Sequence, residues 1–270
     1  MKLYSFTQSL ANKIAFLLLI ISIIHSNQAL SANKAEQNNG SLEPLRIAVA
    51  SNFTTPLKEL LRDFHQQTNI NTQIISGATG AMFIQIQHGA PFDIFLAADS
   101  IRPAKLEQQS LIIANSRKTY ALGQLALLSI NSTATLADLQ HLYQKENQRF
   151  AIANPDTAPY GKAAKETLEH LALWQQYQNK LVVGININQT FAQIRTQAVS
   201  NGLIANSQLV LNNLAGAVIP SDYHQPIEQQ LVILKNSKNV DNAKKLSEYL
   251  LSPSVQKKIV DFGYAAIEQR

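Results

Sequence analysis

The chain has 270 residues, 46% hydrophobic and 15% charged, too apolar for a disordered chain and too mixed for a bundle of membrane helices. Lys and Arg number 23 against 18 Asp and Glu, a net charge of +5, and no cluster of four or more basic residues supplies a nucleic-acid footprint. Cysteine is absent, which excludes disulfides, thiolate metal sites, cysteine nucleophiles and a lipid anchor on an N-terminal cysteine.

Residues 1–31 read as a cleavable signal peptide. Lys2 and Lys13 are their only charges, residues 14–24 form an apolar run, and Ala29 and Ser31 place small side chains at a cleavage site. Eleven residues are too few to cross a bilayer core, which needs about 20. The expected product is free in a periplasm, and losing the two lysines lowers its net charge from +5 to +3. Residues 32–44 are expected to form a flexible leader.

From Leu45 onward, short apolar runs alternate with amphipathic stretches. The first strand spans 45–50, and Leu57, Leu60, Leu61 and Phe64 then fall on one face of a helix. A strand over 72–75 precedes a helix over 80–88, and a strand over 94–97 precedes a helix over 101–108. The pattern restarts after Tyr120. Strands are expected at 125–130, 150–153, 181–183, 203–205 and 231–234, and helices at 136–143, 161–171, 188–200, 240–251 and 253–262. Strand–helix alternation implies right-handed crossovers and mostly parallel sheets, so the fold class is α/β. The restart suggests two lobes, 45–124 plus 226–270 and 125–225, with hinges near Gly123 and over 223–226.

Ligands of open α/β sheets sit beyond the carboxyl ends of the strands, and four strand-to-helix junctions here carry small polar or glycine residues. They are Ser51-Asn52, Ser76-Gly77-Ala78-Thr79-Gly80, Ala158-Pro159-Tyr160-Gly161 and Asn186-Ile187-Asn188-Gln189-Thr190. Each presents free N–H groups at the positive end of a helix dipole, the arrangement that binds anions. Any one of them taken alone is equally an ordinary helix cap.

These junctions, together with Gly89-Ala90-Pro91-Phe92-Asp93-Ile94-Phe95 and Asn154-Pro155, resemble the periplasmic molybdate-binding proteins of ABC importers. The similarity runs from about Leu45 to the C-terminus with the motifs in the family's order. It implies a two-lobed periplasmic-binding-protein fold of type II closing on one tetrahedral oxyanion, molybdate or tungstate, with the metal held only as the oxyanion. Carried over by position, Ser51 and Asn52 would contact the anion, Thr79 would donate its hydroxyl and N–H, and Tyr160 and Ile187 would supply mainly backbone N–H groups. Some members add a tyrosine hydroxyl from the strand where this chain has Ala205. Tyr160 offers a replacement hydroxyl, and both readings of that residue stay open at this stage. A membrane permease is the implied partner, and a monomer the implied state.

The chemistry supports this independently. Lys162 is the single basic residue of the four junctions. Neutral donors alone suit a fully ionised oxyanion, whereas phosphate, partly protonated near neutral pH, asks for an acceptor too. Asp156 and Lys162 are expected to be solvent-facing, and Trp174 and Tyr177 to be packing residues. Binding of another oxyanion (sulfate or phosphate) or of a ferric–anion complex is the nearest alternative. A periplasmic α/β hydrolase is the more distant one, because no GxSxG, SxxK, P-loop or GxGxxG is present and the histidines lie away from the junctions. No catalytic residue and no cofactor is expected.

Overall fold

The computed structural model describes residues 43–130, 135–144 and 149–267, so the expected signal peptide and most of the leader lie outside the described residues. Apolar runs bounded by polar junctions form ten strands among them. β1 (Leu45–Ala50), β2 (Thr72–Gly77), β3 (Ile94–Leu96), β4 (Lys118–Gly123) and β10 (Ile227–Ile233) make one sheet, in the order β2-β1-β3-β10-β4. β5 (Leu125–Ser129), β6 (Phe150–Ala153), β7 (Leu181–Gly184), β8 (Asn201–Ala205) and β9 (Ala217–Val218) make the other, in the order β7-β6-β8-β5-β9.

In the first sheet β1 runs parallel to β2 and β3, while β10 is antiparallel to β3 and β4. In the second, β6 is parallel to β7 and β8, while β5 is antiparallel to β8 and β9. The sheets are therefore mixed, more so than strand–helix alternation suggested. The antiparallel pairings come from β10 and β5, the strands by which the chain enters each sheet from the other. Gln124 alone links β4 to β5, and residues 219–226 link β9 back to β10.

Nine helices cover the sheets among the described residues: α1 (Thr54–Thr68), α2 (Thr79–Gln87), α3 (Ile101–Gln108), α4 (Pro159–His170), α5 (Trp174–Gln178), α6 (Ile187–Arg195), α7 (Asn206–Leu211), α8 (Val240–Leu251) and α9 (Pro253–Asp261). Leu57, Leu60, Leu61 and Phe64 form the buried stripe of α1, which ends on Asn69 in the left-handed conformation with its N–H on the His65 carbonyl at 2.8 Å. The helix expected over 136–143 is instead two 3₁₀ turns, Leu136–Gln140 and Leu142–Gln144, begun by Thr135, whose N–H donates to Asp138 at 2.6 Å. The helix expected over 188–200 stops at Arg195, with Gln197 left-handed beyond it.

The Gly-Ala-Pro-Phe-Asp-Ile-Phe block is structural. Gly89 takes φ +80° after α2, and the buried Asp93 carboxylate accepts from the Arg46 N–H at 2.7 Å and from Ser237 Oγ at 2.6 Å.

Two cores surround each sheet, and one of the four joins the halves. It holds Ala50, Ala98 and Ile227 together with Leu125, Phe150, Tyr160, Ile187 and Ala205. Pro44–Arg270 accordingly packs as one compact unit.

The seat of α4 on β6 is tight. A β-carbon on Gly161 would lie 2.2 Å from the Ala153 carbonyl oxygen and 2.7 Å from the Asn154 carbonyl carbon, both backbone. Gly161→Ala must push the start of α4 off the sheet. A loss of about 1–3 kcal/mol is expected, read as a lowered midpoint in urea unfolding.

Candidate functional site

Each of the four junctions ends a strand and starts a helix, and the two sheets turn these ends toward one another. Ser51, Asn52, Thr79, Tyr160 and Ile187, the five residues singled out from the sequence, line one small cleft, with a void of about 10 Å³, the room of a single water. Ala50, Gly77, Ala78, Ala98, Ala158 and Pro159 complete its wall, so no charged residue lines it. All five are buried.

Their donors are committed in different ways. Thr79 opens α2, and its Oγ1 accepts the Ala98 N–H at 3.1 Å, which leaves the hydroxyl hydrogen for the cleft. Ser51 begins the 3₁₀ turn that leads into α1, and its hydroxyl has no protein partner among the described residues. Asn52 differs. Its amide nitrogen donates to Gln229 Oε1 at 3.0 Å and to the Tyr264 hydroxyl at 3.1 Å, so both side-chain hydrogens are occupied and its backbone N–H is what remains.

In the second half, Pro159 is the first residue of α4 and has no N–H, which makes Tyr160 the leading donor of that helix. The next two N–H groups, of Gly161 and Lys162, already reach the Ala158 carbonyl at 2.9 and 3.0 Å. Ile187 is the first residue of α6. Asn186 caps that helix by accepting the Gln189 N–H at 3.0 Å. The Gln208 amide steadies the same turn, donating to the Ile187 carbonyl at 3.3 Å and to Asn188 Oδ1 at 3.0 Å while accepting the Ala205 N–H at 3.1 Å.

The Tyr160 phenol reaches the first crossing. Its hydroxyl accepts from Gln229 Nε2 at 3.3 Å, and a β-carbon on Gly123 would fall 2.4 Å from it. Glycine at 123 is what admits this ring. Gln229, fully buried on β10, is the hub of the network, since its Oε1 also accepts from the Tyr120 hydroxyl at 3.0 Å. Burial pushes the phenols of Tyr160, Tyr120 and Tyr264 above their ordinary value, with the hydrogen bond from Gln229 opposing it at Tyr160. All three therefore stay neutral donors at physiological pH.

Asp156 is exposed, its backbone N–H donating to Asn154 Oδ1 at 2.9 Å. Lys162 is exposed and sits 3.5 Å from Glu166. Tyr177 is buried, with its hydroxyl on the Leu139 carbonyl at 2.7 Å, and Trp174 packs against the shared core. His88 bonds the Ile84 carbonyl at 2.8 Å at the end of α2. Among the described residues no cluster of His, Asp and Glu could hold a metal ion, and no helix is long and apolar enough to cross a membrane.

Sequence reasoning missed Gln229, Gln208 and Arg102. Two glutamines inside the apolar run Ile227–Ile233 were a readable signal for the first. Arg102 gave none. It lies on α3, yet its guanidinium comes to the start of α2, paired there with the Asp99 carboxylate.

A model of the bacterial extracellular solute-binding protein family matches residues 45–265. The molybdate-binding protein ModA of Azotobacter vinelandii is 38% identical over 226 residues, 82% of this chain and 89% of the relative. The chain belongs to this family, with the ModA proteins. ModA of Rhodobacter capsulatus is 34% identical over 80% of this chain and 86% of its own length. The solved periplasmic molybdate-binding protein of Azotobacter vinelandii superposes with a TM-score of 0.77 at 32% identity, covering 83% of this chain and all of that one. The sulfate-binding protein SubI of Mycobacterium tuberculosis, at 10% identity and a TM-score of 0.66, shares the fold alone. These ModA relatives are substrate-binding proteins rather than enzymes.

The hub residue can be tested apart from any ligand. Gln229→Leu strands an Asn52 amide hydrogen and the Tyr160 hydroxyl in the core. Each orphaned group costs about 1–3 kcal/mol, so a total loss of roughly 2–6 kcal/mol is expected in urea unfolding.

Proposed function

We propose that this protein is the periplasmic substrate-binding component of an ABC importer and captures molybdate, with tungstate bound alongside it, in the cleft lined by Ser51, Asn52, Thr79, Tyr160 and Ile187. The observation that carries the reading is the convergence of four helix starts on a cleft lined by no charged residue. Each helix start carries about half a positive charge in its N–H groups, and four together favour a dianion without a cation. A protonated oxyanion would need an acceptor, and no carboxylate lines the cleft. The ModA relatives bind molybdate by name.

In this reading residues 45–124 plus 226–270 form one lobe and 125–225 the other. They hinge near Gly123 and over 223–226, closing on the anion and docking as a monomer on a membrane permease. Residues 1–31 direct export to the periplasm. The larger groove beside the cleft, about 640 Å³ and sharing Ala98, Ala158 and Pro159 with it, is the path to solvent.

Titration calorimetry of the protein lacking residues 1–31 tests this directly. Saturable binding of molybdate and tungstate is expected, with sulfate weaker and phosphate absent; preference for phosphate overturns the reading. Ser51→Ala and Thr79→Val each remove one hydroxyl from a desolvated anion and should cost about 1.5–3 kcal/mol, roughly ten- to a hundredfold. Ile187→Val should change little, because a backbone group is proposed to donate there. Tyr160→Phe should also hold affinity to within a few-fold, because its hydroxyl serves Gln229. Lys162→Met should be nearly silent; a loss larger than that of Thr79→Val would mean a positive charge holds the anion.

The pH dependence follows from the same donor set. No His, Lys, Arg, Asp or Glu lines the cleft, and the raised phenols do not ionise in the working range. Molybdate affinity should be flat between about pH 6 and 9, where an intervening histidine or carboxylate would bend it. Calorimetry across that range reads the slope.

A further inference from the structure

The first N–H groups of α2 do not all face the cleft. Gly80, the residue after Thr79, sends its N–H across to the Thr157 carbonyl at 2.8 Å. Beside it, Arg102 Nη2 donates to the Asp156 carbonyl at 2.9 Å. Two consecutive carbonyls of the β6–α4 loop, on the second sheet, are thus taken by two donors of the first sheet's half.

Both sides are prepared for this contact. The loop is folded on itself, with the Asp156 N–H on Asn154 Oδ1 at 2.9 Å and the Ala158 N–H on the Asn154 carbonyl at 2.9 Å, so its own N–H groups turn inward. Arg102 is held at two points by Asp99, through its backbone N–H at 2.9 Å and its guanidinium, which leaves Nη2 to reach across. The three groups meet without slack. A β-carbon on Gly80 would lie 3.0 Å from Arg102 Nη2, 3.0 Å from the Thr157 oxygen and 3.1 Å from Thr157 Cα. Each partner also adjoins a donor of the cleft, Gly80 following Thr79 and Thr157 lying three residues before Tyr160.

The geometry points to Gly80 and Arg102 as a clasp that sets how long the closed, anion-loaded form lives, although neither touches the anion. This rests on the molybdate reading above, because the clasp closes in register with the donors on either side of it. In the open form the Gly80 and Arg102 donors and the two carbonyls return to water, so the clasp weighs on the closed state alone.

Gly80→Ala makes the test sharp, because its two effects have opposite signs. Gly80 is in the first turn of a helix, where alanine is the better residue, so the ligand-free protein should melt at the same temperature or slightly higher. Within its own half the added methyl meets only the flexible end of Arg102, whereas the Thr157 backbone that it crowds arrives when the halves meet, so molybdate affinity should fall at least tenfold, with faster release in a stopped-flow chase. Arg102→Lys keeps the charge but cannot span Asp99 and Asp156 together, and should lose affinity as much as Arg102→Gln. If Arg102→Lys matches wild type while Arg102→Gln weakens binding, Arg102 acts by charge and the clasp is overturned. Gly80→Ala binding within twofold of wild type also overturns it. Small-angle scattering with and without molybdate separates this proposal from the functional one. Wild-type protein that neither binds nor compacts with molybdate defeats the ligand assignment, and the clasp is then judged by whether Gly80→Ala opens the ligand-free ensemble. No difference from wild type there defeats the clasp.

Discussion

Helix starts that aim N–H groups at one small space cannot be buried there without an acceptor, and this constraint organises the molecule. The two sheets turn their strand ends toward each other, and each supplies two of the helix starts at the cleft. The rest of the local architecture decides which N–H groups stay uncommitted. Pro159 removes one donor so that Tyr160 leads, the Ala158 carbonyl absorbs the next two, and Asn186 absorbs one at α6. What remains is a short set of neutral donors, suited to an ion that accepts every hydrogen bond.

Behind the cleft, the Gln229 amide joins elements that must keep their relative positions. It meets Asn52 from the first junction, Tyr120 from β4 and Tyr160 from α4, with Tyr264 completing the ring through Asn52. Such a network is costly to leave half-made, which favours a single arrangement of the donor loops over several. It also accounts for the tyrosine at 160. That side chain spans from a cleft wall to the crossing strands, and its hydroxyl is engaged there.

Much of this was legible in the sequence, for identifiable reasons. Apolar runs and the Leu57–Phe64 periodicity carry enough signal to place β1, α1 and most of the sheets, and a small polar residue at a strand end reads as a helix start. What escaped reading depends on contacts between distant segments. β4 starts with exposed Lys118 and buries only the adjacent Tyr120 and Ala121, and β9 is two residues long; each is a strand because a neighbour pairs with it. The 3₁₀ turns after Thr135 looked like a helix because leucine spacing there mimics one. Arg102 could not be found by inspecting junctions, since α3 carries it to a helix start that it does not belong to.

The uncharged lining of the cleft has a consequence for the protein as a whole. Here nothing in the cleft ionises or takes up a proton, so the loaded form differs from the empty one by the full charge of its ligand. The chain carries a net charge of only +5, so two added negative charges remove a large share of its excess. Loading therefore rewrites the electric field of the whole molecule, and the empty and loaded forms should separate by electrophoretic mobility as well as by shape.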